Sequence, residues 1–209
     1  MVCTKVRSFT NMERVVICTA NAGKLKEFKA LLPSGPTLLS LSDVGILDEL
    51  PETGDTLEEN ALQKAREARG RCGEACVADD TGLEVDALHG APGVRSARYA
   101  GDDRNDAANI QHLLRQLQGH RTRTARFRTV LAFVDEQGEH LFEGTVEGRI
   151  LDVPFGDGGF GYDPVFIPEG SDRTFAEMSS TEKNAVSHRA KAVEQFVNYL
   201  NTRRSPWGR

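Results

Sequence analysis

The feature that most constrains this chain is a short apolar run, Ala75-Cys76-Val77-Ala78, that leads into two adjacent carboxylates, Asp79-Asp80, and then Thr81-Gly82. The run is partly β-branched and stops at a glycine-containing turn signal, so it reads as a buried strand over 75–79, with a second strand at 83–86. Neighbouring carboxylates at a strand end repel each other unless a cation or a shared proton compensates. An isolated Asp-Asp is commonly a solvated acidic turn, so the surrounding segments must decide.

Thr19-Ala20-Asn21-Ala22-Gly23-Lys24 follows the β-rich run Arg14-Val15-Val16-Ile17-Cys18 and precedes Leu25, Phe28, Leu31 and Leu32 at helical spacing. The order is strand over 14–20, turn, then helix over 22–32. Asn21 suits the N-cap, and the small residues allow close approach of backbone N–H groups to a ligand. A helix N-terminus with Lys24 in its first turn reads as a phosphate cradle. It lacks the glycine spacing and the Lys-Ser/Thr pair of a P-loop, and an ordinary βα connection is the plainer alternative.

Downstream, Thr56 and Glu59 form a capping box that predicts a helix over 56–71 with Leu57, Ala61, Ala65 and Ala68 inward. Lys64 falls on the border of that face, where it either snorkels to solvent or points into a cleft to meet a phosphate. Glu52 lies just upstream, placed to supply a metal oxygen beside Asp80. Hard carboxylate oxygens next to substrate phosphates are the usual way a protein holds Mg²⁺.

Gly158-Gly159-Phe160-Gly161-Tyr162-Asp163-Pro164 interleaves glycine with aromatics, letting a flat ring lie on a flat base. A helix over 180–202 follows, capped by Ser179 and Glu182 with Lys183 next; its expected stripe is Val186, Ala190, Val193, Val197 and Leu200. His188 and Arg189 flank that stripe and are either surface charges or cleft residues.

The remaining layout is a strand near 37–41, a loop through 90–101, a helix over 105–118, a hairpin of 126–134 with 140–148, and a short strand at 165–167. Early alternation of strands and helices with a late hairpin predicts an α/β fold, a mixed sheet with helices on its faces. At 209 residues the length prior gives one domain, 14–202, in two lobes, with loose ends at 1–13 and 203–209. A net charge of −5 and pI near 5.6 argue against a nucleic-acid surface. No stretch approaches the ~18–20 apolar residues of a membrane span, and residues 1–12 lack the apolar centre of a signal peptide. Cys3, Cys18, Cys72 and Cys76 form no Cys-x-x-Cys pair, which suits reduced thiols in a cytoplasmic protein.

Taken in order, 19–24, Glu52-Thr53-Gly54 with Glu59-Asn60-Ala61 and Lys64, 78–82, Gly90-Ala91-Pro92-Gly93 with Ser96-Ala97-Arg98-Tyr99, 159–164, and Glu182-Lys183 with Ser187-His188-Arg189 resemble the inosine triphosphate pyrophosphatase family. Ala20 replaces a usual glycine, and Arg95 a usual tyrosine or aliphatic residue. The resemblance implies an elongated mixed sheet flanked by helices, two lobes with the active cleft between them, and a cytoplasmic homodimer. It also implies Mg²⁺-dependent hydrolysis of non-standard purine nucleoside triphosphates (ITP, dITP, XTP) to the monophosphate and pyrophosphate, which cleanses the nucleotide pool.

On that basis the expected catalytic residues are Asp80, Asp79 and Lys64, and the metal ligands are Asp80 and Glu52. The expected substrate-binding residues are Thr19, Ala20, Asn21, Ala22, Gly23, Lys24, Thr81, Phe160, Gly161, Tyr162, Asp163, Lys183, His188 and Arg189. Phe160 or Tyr162 would stack on the base, and Arg189 and His188 would aim donors at its 6-oxo group. Two other classes compete. A pyrophosphatase of modified pyrimidine nucleotides, from the septum-associated branch that resembles this fold, would lack Ser187-His188-Arg189. A non-catalytic nucleotide-binding module would have lost Asp80 or Lys64.

Overall fold

A computed structural model describes residues 14–32 and 36–204. Of the expected loose ends at 1–13 and 203–209, residues 1–13 and 205–209 lie outside the described residues, and 203–204 are instead the end of the last helix. Strands β1 (Arg14–Ile17), β2 (Thr37–Ser40), β3 (Ala75–Val85), β4 (Pro92–Gly93), β5 (Thr124–Asp135), β6 (Gly138–Ile150) and β7 (Phe166–Pro168) form one sheet in the order β2-β1-β3-β5-β6-β7, with β4 beside β3. β1 runs parallel to β2 and β3, whereas β3, β5, β6 and β7 pair antiparallel, so the sheet is mixed as expected.

The carboxylate pair is not at a strand end. β3 runs without a break from Ala75 to Val85, and Asp79 and Asp80 pair with Leu131 and Val130 of β5 in mid-ladder. Ladder hydrogen bonds to the long hairpin carry the strand through residues of poor β-propensity, and tertiary pairing overrides the local turn signal. Successive side chains of a strand point to opposite faces, so the two Asp side chains meet different neighbours.

Five helices cover the sheet: α1 (Ala22–Leu31), α2 (Leu57–Cys72), α3 (Asp106–Gln116), α4 (Ser180–Val186) and α5 (His188–Arg204). Leu57, Ala61, Ala65 and Ala68 of α2 pack with Cys76, Ala78, Val130 and Ala132 on one face. Phe28 of α1 and Ala192, Val193, Phe196 and Leu200 of α5 pack with Val77, Leu131 and Phe133 on the other. Further along the same strands, Ile110, Leu113 and Leu117 close over Leu83, Phe127 and Phe166, building the second lobe.

The expected single helix over 180–202 is two helices. Ser187 is extended (φ −69°, ψ 153°), and its hydroxyl accepts from Ala190 N at 3.2 Å, so it ends α4 and caps α5. The break rotates the register: Val186 is exposed, and Ala192 and Phe196 join Val193 and Leu200 in the buried stripe. Gly144 of β6 lets the new helix start dock, since a Cβ there would lie 2.0 Å from the His188 carbonyl oxygen.

Candidate active site

The α1 end of the cleft is built on the face of β3 that carries Asp79. Asn21 caps α1, accepting from Lys24 N at 3.0 Å, and Lys24 Nζ lies 3.1 Å from Asp79 Oδ2. Ala20 keeps a negative φ, since among the described residues the positive-φ non-glycines are His89 and Arg104. Alanine therefore fits this turn without strain. Arg189, 1% exposed, donates through Nε and Nη2 to Asp79 Oδ2 (3.3 and 3.2 Å), through Nη2 to Thr81 Oγ1 (3.2 Å), and through Nη1 to Glu27. Glu27 also takes Lys183 Nζ at 2.9 Å, and Lys183 reaches Asp163 Oδ2 at 2.7 Å. A continuous chain, Lys24–Asp79–Arg189–Glu27–Lys183–Asp163, buried but for the partly exposed Lys24 and Glu27, thus links α1, β3, α4, α5 and the 159–163 turn. Burial alone would raise the Asp79 pKa, but Lys24, Arg189 and Lys64 outweigh it and hold the carboxyl well below the usual range.

Phe160 half-emerges into the cleft with Lys183 Nζ 4.6 Å from its ring centroid. Its turn requires Gly159 (φ +75°), where a Cβ would fall 2.1 Å from Asp163 Oδ2. Tyr162 is instead a core residue, 4% exposed, whose hydroxyl donates to Ser96 O at 2.9 Å. Of the two aromatics expected to stack, Phe160 is the one that is only partly buried at the cleft. His188 stacks on Phe127 (centroids 4.8 Å apart), burial pushes its pKa well below the ordinary value, and its Nδ1 has no hydrogen-bond partner among the described residues.

The opposite face of β3 carries Asp80. Asn60 of α2 donates Nδ2 to Asp80 Oδ2 at 3.1 Å while its Oδ1 accepts from Gly54 N at 2.8 Å, which fixes the amide. Lys64 is buried (6% exposed) rather than snorkelling; it donates to Glu52 Oε1 at 2.5 Å and Asp79 O at 2.7 Å, with Asp80 Oδ1 3.9 Å away. Burial opposes the Lys64 charge, yet Asp80, Glu52 and Asp79 together raise its pKa. Burial also raises the pKa of Asp80. Lys24, Glu52, Lys64, Asp80, Arg98, Phe160, Lys183 and His188 all line one cavity between the lobes.

The sequence from 15 to 199 matches the model of the Ham1 family. The chain belongs to the Ham1 family. It is 50% identical to a dITP/XTP pyrophosphatase of Christiangramia forsetii, covering 90% of this chain and 99% of that one. A dITP/XTP pyrophosphatase of Bacillus subtilis is 47% identical, covering 90% and 98%. A HAM1 protein from Coxiella burnetii superposes with TM-score 0.84 at 39% identity, covering 91% and 99% of the two chains. A Mycobacterium abscessus structure titled nucleoside-triphosphatase / dITP/XTP pyrophosphatase superposes with TM-score 0.73 at 46% identity, covering 88% and 98%.

In this Ham1 fold the expected site residues fall into three groups. Asp80, Glu52 and Lys64 converge on the α2 face. Asp79, Thr81, Lys24, Arg189, Lys183 and Asp163 form or touch the charge chain. Thr19, Ala20 and Asn21, with Phe160, Gly161, Tyr162 and His188, border the cleft, and Ala22 and Gly23 follow as the start of α1 without lining it. Among the described residues, no group of three or more His, Cys, Asp and Glu side chains is arranged to hold a metal unaided. Two hard carboxylates facing one ammonium still match Mg²⁺, which characteristically takes one or two protein carboxylates and completes its shell with waters and phosphates. Glu27 and Asn60 were missed as site residues. Glu27 sits three residues after Lys24 and so on the same side of α1, but a charged residue on a surface helix carries no signal of burial.

Proposed function

We propose that the chain hydrolyses ITP, dITP and XTP at the α–β phosphoanhydride, giving the nucleoside monophosphate and pyrophosphate. The observation that carries this reading is Asp80, a largely buried carboxylate at the cleft whose Oδ2 is fixed by Asn60 and whose Oδ1 accepts from Thr81 N and faces Lys64. The activity printed for the relatives supports the substrate class.

Asp80 and Glu52 would hold Mg²⁺ against the substrate phosphates, and the bound ion would supply Lewis-acid charge and a more acidic water. Asp80 orients the water that attacks the α-phosphorus and takes up its proton; its raised pKa makes it a better base than an exposed aspartate. Lys64 and Lys24 stabilise the charge that develops on the leaving pyrophosphate, together with the backbone N–H groups at the start of α1. Asp79 acts through its neighbours, holding Lys24 and Arg189 in place.

The base lies on Phe160. Lys183 spends two of its protons on Asp163 and Glu27, leaving a third for the purine. His188 offers a neutral ring, and Arg189 sets the geometry of both. Donors facing a 6-oxo group go unpaired when adenine presents its amino group, which rejects ATP.

The active unit is one two-lobed domain over 14–202, working as a cytoplasmic homodimer that clears such nucleotides from the pool. Free Cys18, Cys72 and Cys76 and exposed Leu47, Val153 and Phe155 support this; sedimentation velocity tests the dimer. The charge of −5 supports a small-molecule substrate over nucleic acid or anionic membrane as partner, and among the described residues no helix is long and apolar enough to cross a membrane. Pyrophosphate release from ITP, dITP and XTP against GTP, ATP and deoxypyrimidine triphosphates tests the activity. The expected kcat/KM ratio of ITP to ATP exceeds about 10²; equal efficiencies would overturn the reading.

A further inference from the structure

The Ser96-Ala97-Arg98-Tyr99 motif has a rigid backbone and a loosely held head. Ser96 Oγ accepts from Leu83 N at 2.8 Å and donates to Gly93 O at 2.6 Å, while Ser96 O accepts from the Tyr162 hydroxyl. Asn109 of α3 donates to Ala97 O at 3.0 Å and accepts from Ala100 N at 2.7 Å, so the main chain is pinned on both sides of Arg98. The Arg98 guanidinium, by contrast, has among the described residues only Glu52 Oε2 as a hydrogen-bond partner, through both Nη atoms at 3.5 Å, the outer limit of a hydrogen bond. Its side chain is 31% exposed and lines the cleft. Nearby Arg104 is bidentate on Glu49 at 3.1 Å through each nitrogen, and its Nη2 stands farther off, 3.8 Å from Glu52 Oε2.

Glu52 therefore stands between Lys64 on Oε1 and Arg98 on Oε2, and Lys24 also acts on its charge. A planar guanidinium with donors to spare, on a rigid pedestal beside two phosphate-directed lysines, has the chemistry of a bidentate oxyanion ligand. We propose that Arg98 leaves Glu52 when substrate binds and grips the β- and γ-phosphates, contributing to recognition of the pyrophosphate half of the nucleotide. This deepens the activity proposed above and rests on it for the identity of the substrate. It assigns to the second lobe a contact with the phosphates, so that only a triphosphate spans both lobes.

The test is calorimetric binding of inorganic pyrophosphate and, separately, of IMP to the wild type, Arg98→Gln and Arg98→Lys, each with and without Mg²⁺. Arg98→Gln is expected to weaken pyrophosphate about 10- to 100-fold, the range of a charge-assisted hydrogen bond, and to leave IMP within about twofold. Arg98→Lys restores part of the loss, because the charge remains and the fork does not. Unchanged pyrophosphate affinity in Arg98→Gln overturns the proposal, and so does an equal loss for pyrophosphate and IMP, which would make Arg98 merely a prop for Glu52. Because binding is read without turnover, a wild type that hydrolyses no nucleotide would sink the proposed activity, while the pyrophosphate affinities would still decide the role of Arg98.

Discussion

The two faces of β3 meet the cleft with the same residue type in opposite circumstances. On the α1/α5 face, Asp79 gives Oδ2 to an alternating chain of cations and carboxylates on five segments, while its buried Oδ1 has no hydrogen-bond partner among the described residues. On the α2 face, Asp80 Oδ2 is held by Asn60, while Oδ1 accepts from Thr81 N at 3.0 Å and looks across 3.9 Å at Lys64, with Glu52 and Arg98 only partly covered beyond it. Burial enters both balances with the same sign. It loses at Asp79, where Lys24 and Arg189 lie close, and wins at Asp80. A closed network of buried charges holds geometry, while an open one keeps a base available for chemistry.

The largest expected effect separates the two carboxylates. Asp80→Asn should lower kcat by about 10²–10⁴, the share of a general base, with a melting temperature close to wild type. Asp79→Asn should instead leave Lys24 and Arg189 facing a neutral amide and cost about 3 kcal/mol, which lowers Tm by roughly 6–12 °C for a chain of this length. Thermal melts and ITP turnover on the same two samples decide it; two variants with matching profiles would erase the distinction between the faces.

Lys64→Met probes the open face next. The stem is kept and the ammonium lost, so kcat should fall more than KM rises if Lys64 acts on the leaving pyrophosphate. A change confined to KM would make it a ground-state binder.

A smaller effect concerns pH and the closed face. His188 is buried and its pKa is depressed, so the unfolded chain binds a proton that the folded chain does not once pH drops below about 6.5. Stability from this residue is therefore full above that value and declines as pH falls, by at most about 1.4 kcal/mol per unit. The Asp79 contribution is also lost on acidification, but only below about 3.9, the value in an unfolded chain. Urea unfolding at pH 5 and 7.5 should show a steeper decline for wild type than for His188→Gln. Parallel declines would mean that His188 is charged in the folded protein.

The smallest effect is expected at Ala20→Gly. Since Ala20 already holds an ordinary φ, the family's usual glycine should lower stability by no more than about 1 kcal/mol and leave kcat/KM within about twofold. A gain in either would show that the turn is strained in this chain.

Much of this was legible from local pattern. The Thr56/Glu59 and Ser179/Glu182 capping boxes, the Asn21 N-cap and the hairpin around 135–138 depend on contacts between residues a few positions apart, and all formed as expected. The departures have long-range causes. The turn signal at Thr81-Gly82 yielded to ladder bonds from β5, some fifty residues away. The helix break at Ser187 goes with close docking against Gly144. Arg189, expected to offer its donors to a base, makes four hydrogen bonds to Asp79, Glu27 and Thr81, none of them near it in sequence.

By itself the sequence determined the order of strands and helices, the caps that start them, the mixed α/β class and the family, because each is written in spacing or in ordered motifs. Only the tertiary structure decided which aspartate lines the cavity, that Lys64 is buried, and that Glu27 joins two cations. The physical reason is that charge and burial are properties of surroundings. A one-residue step along a strand exchanges one face of a sheet for the other, and the helices waiting on each face come from distant parts of the chain.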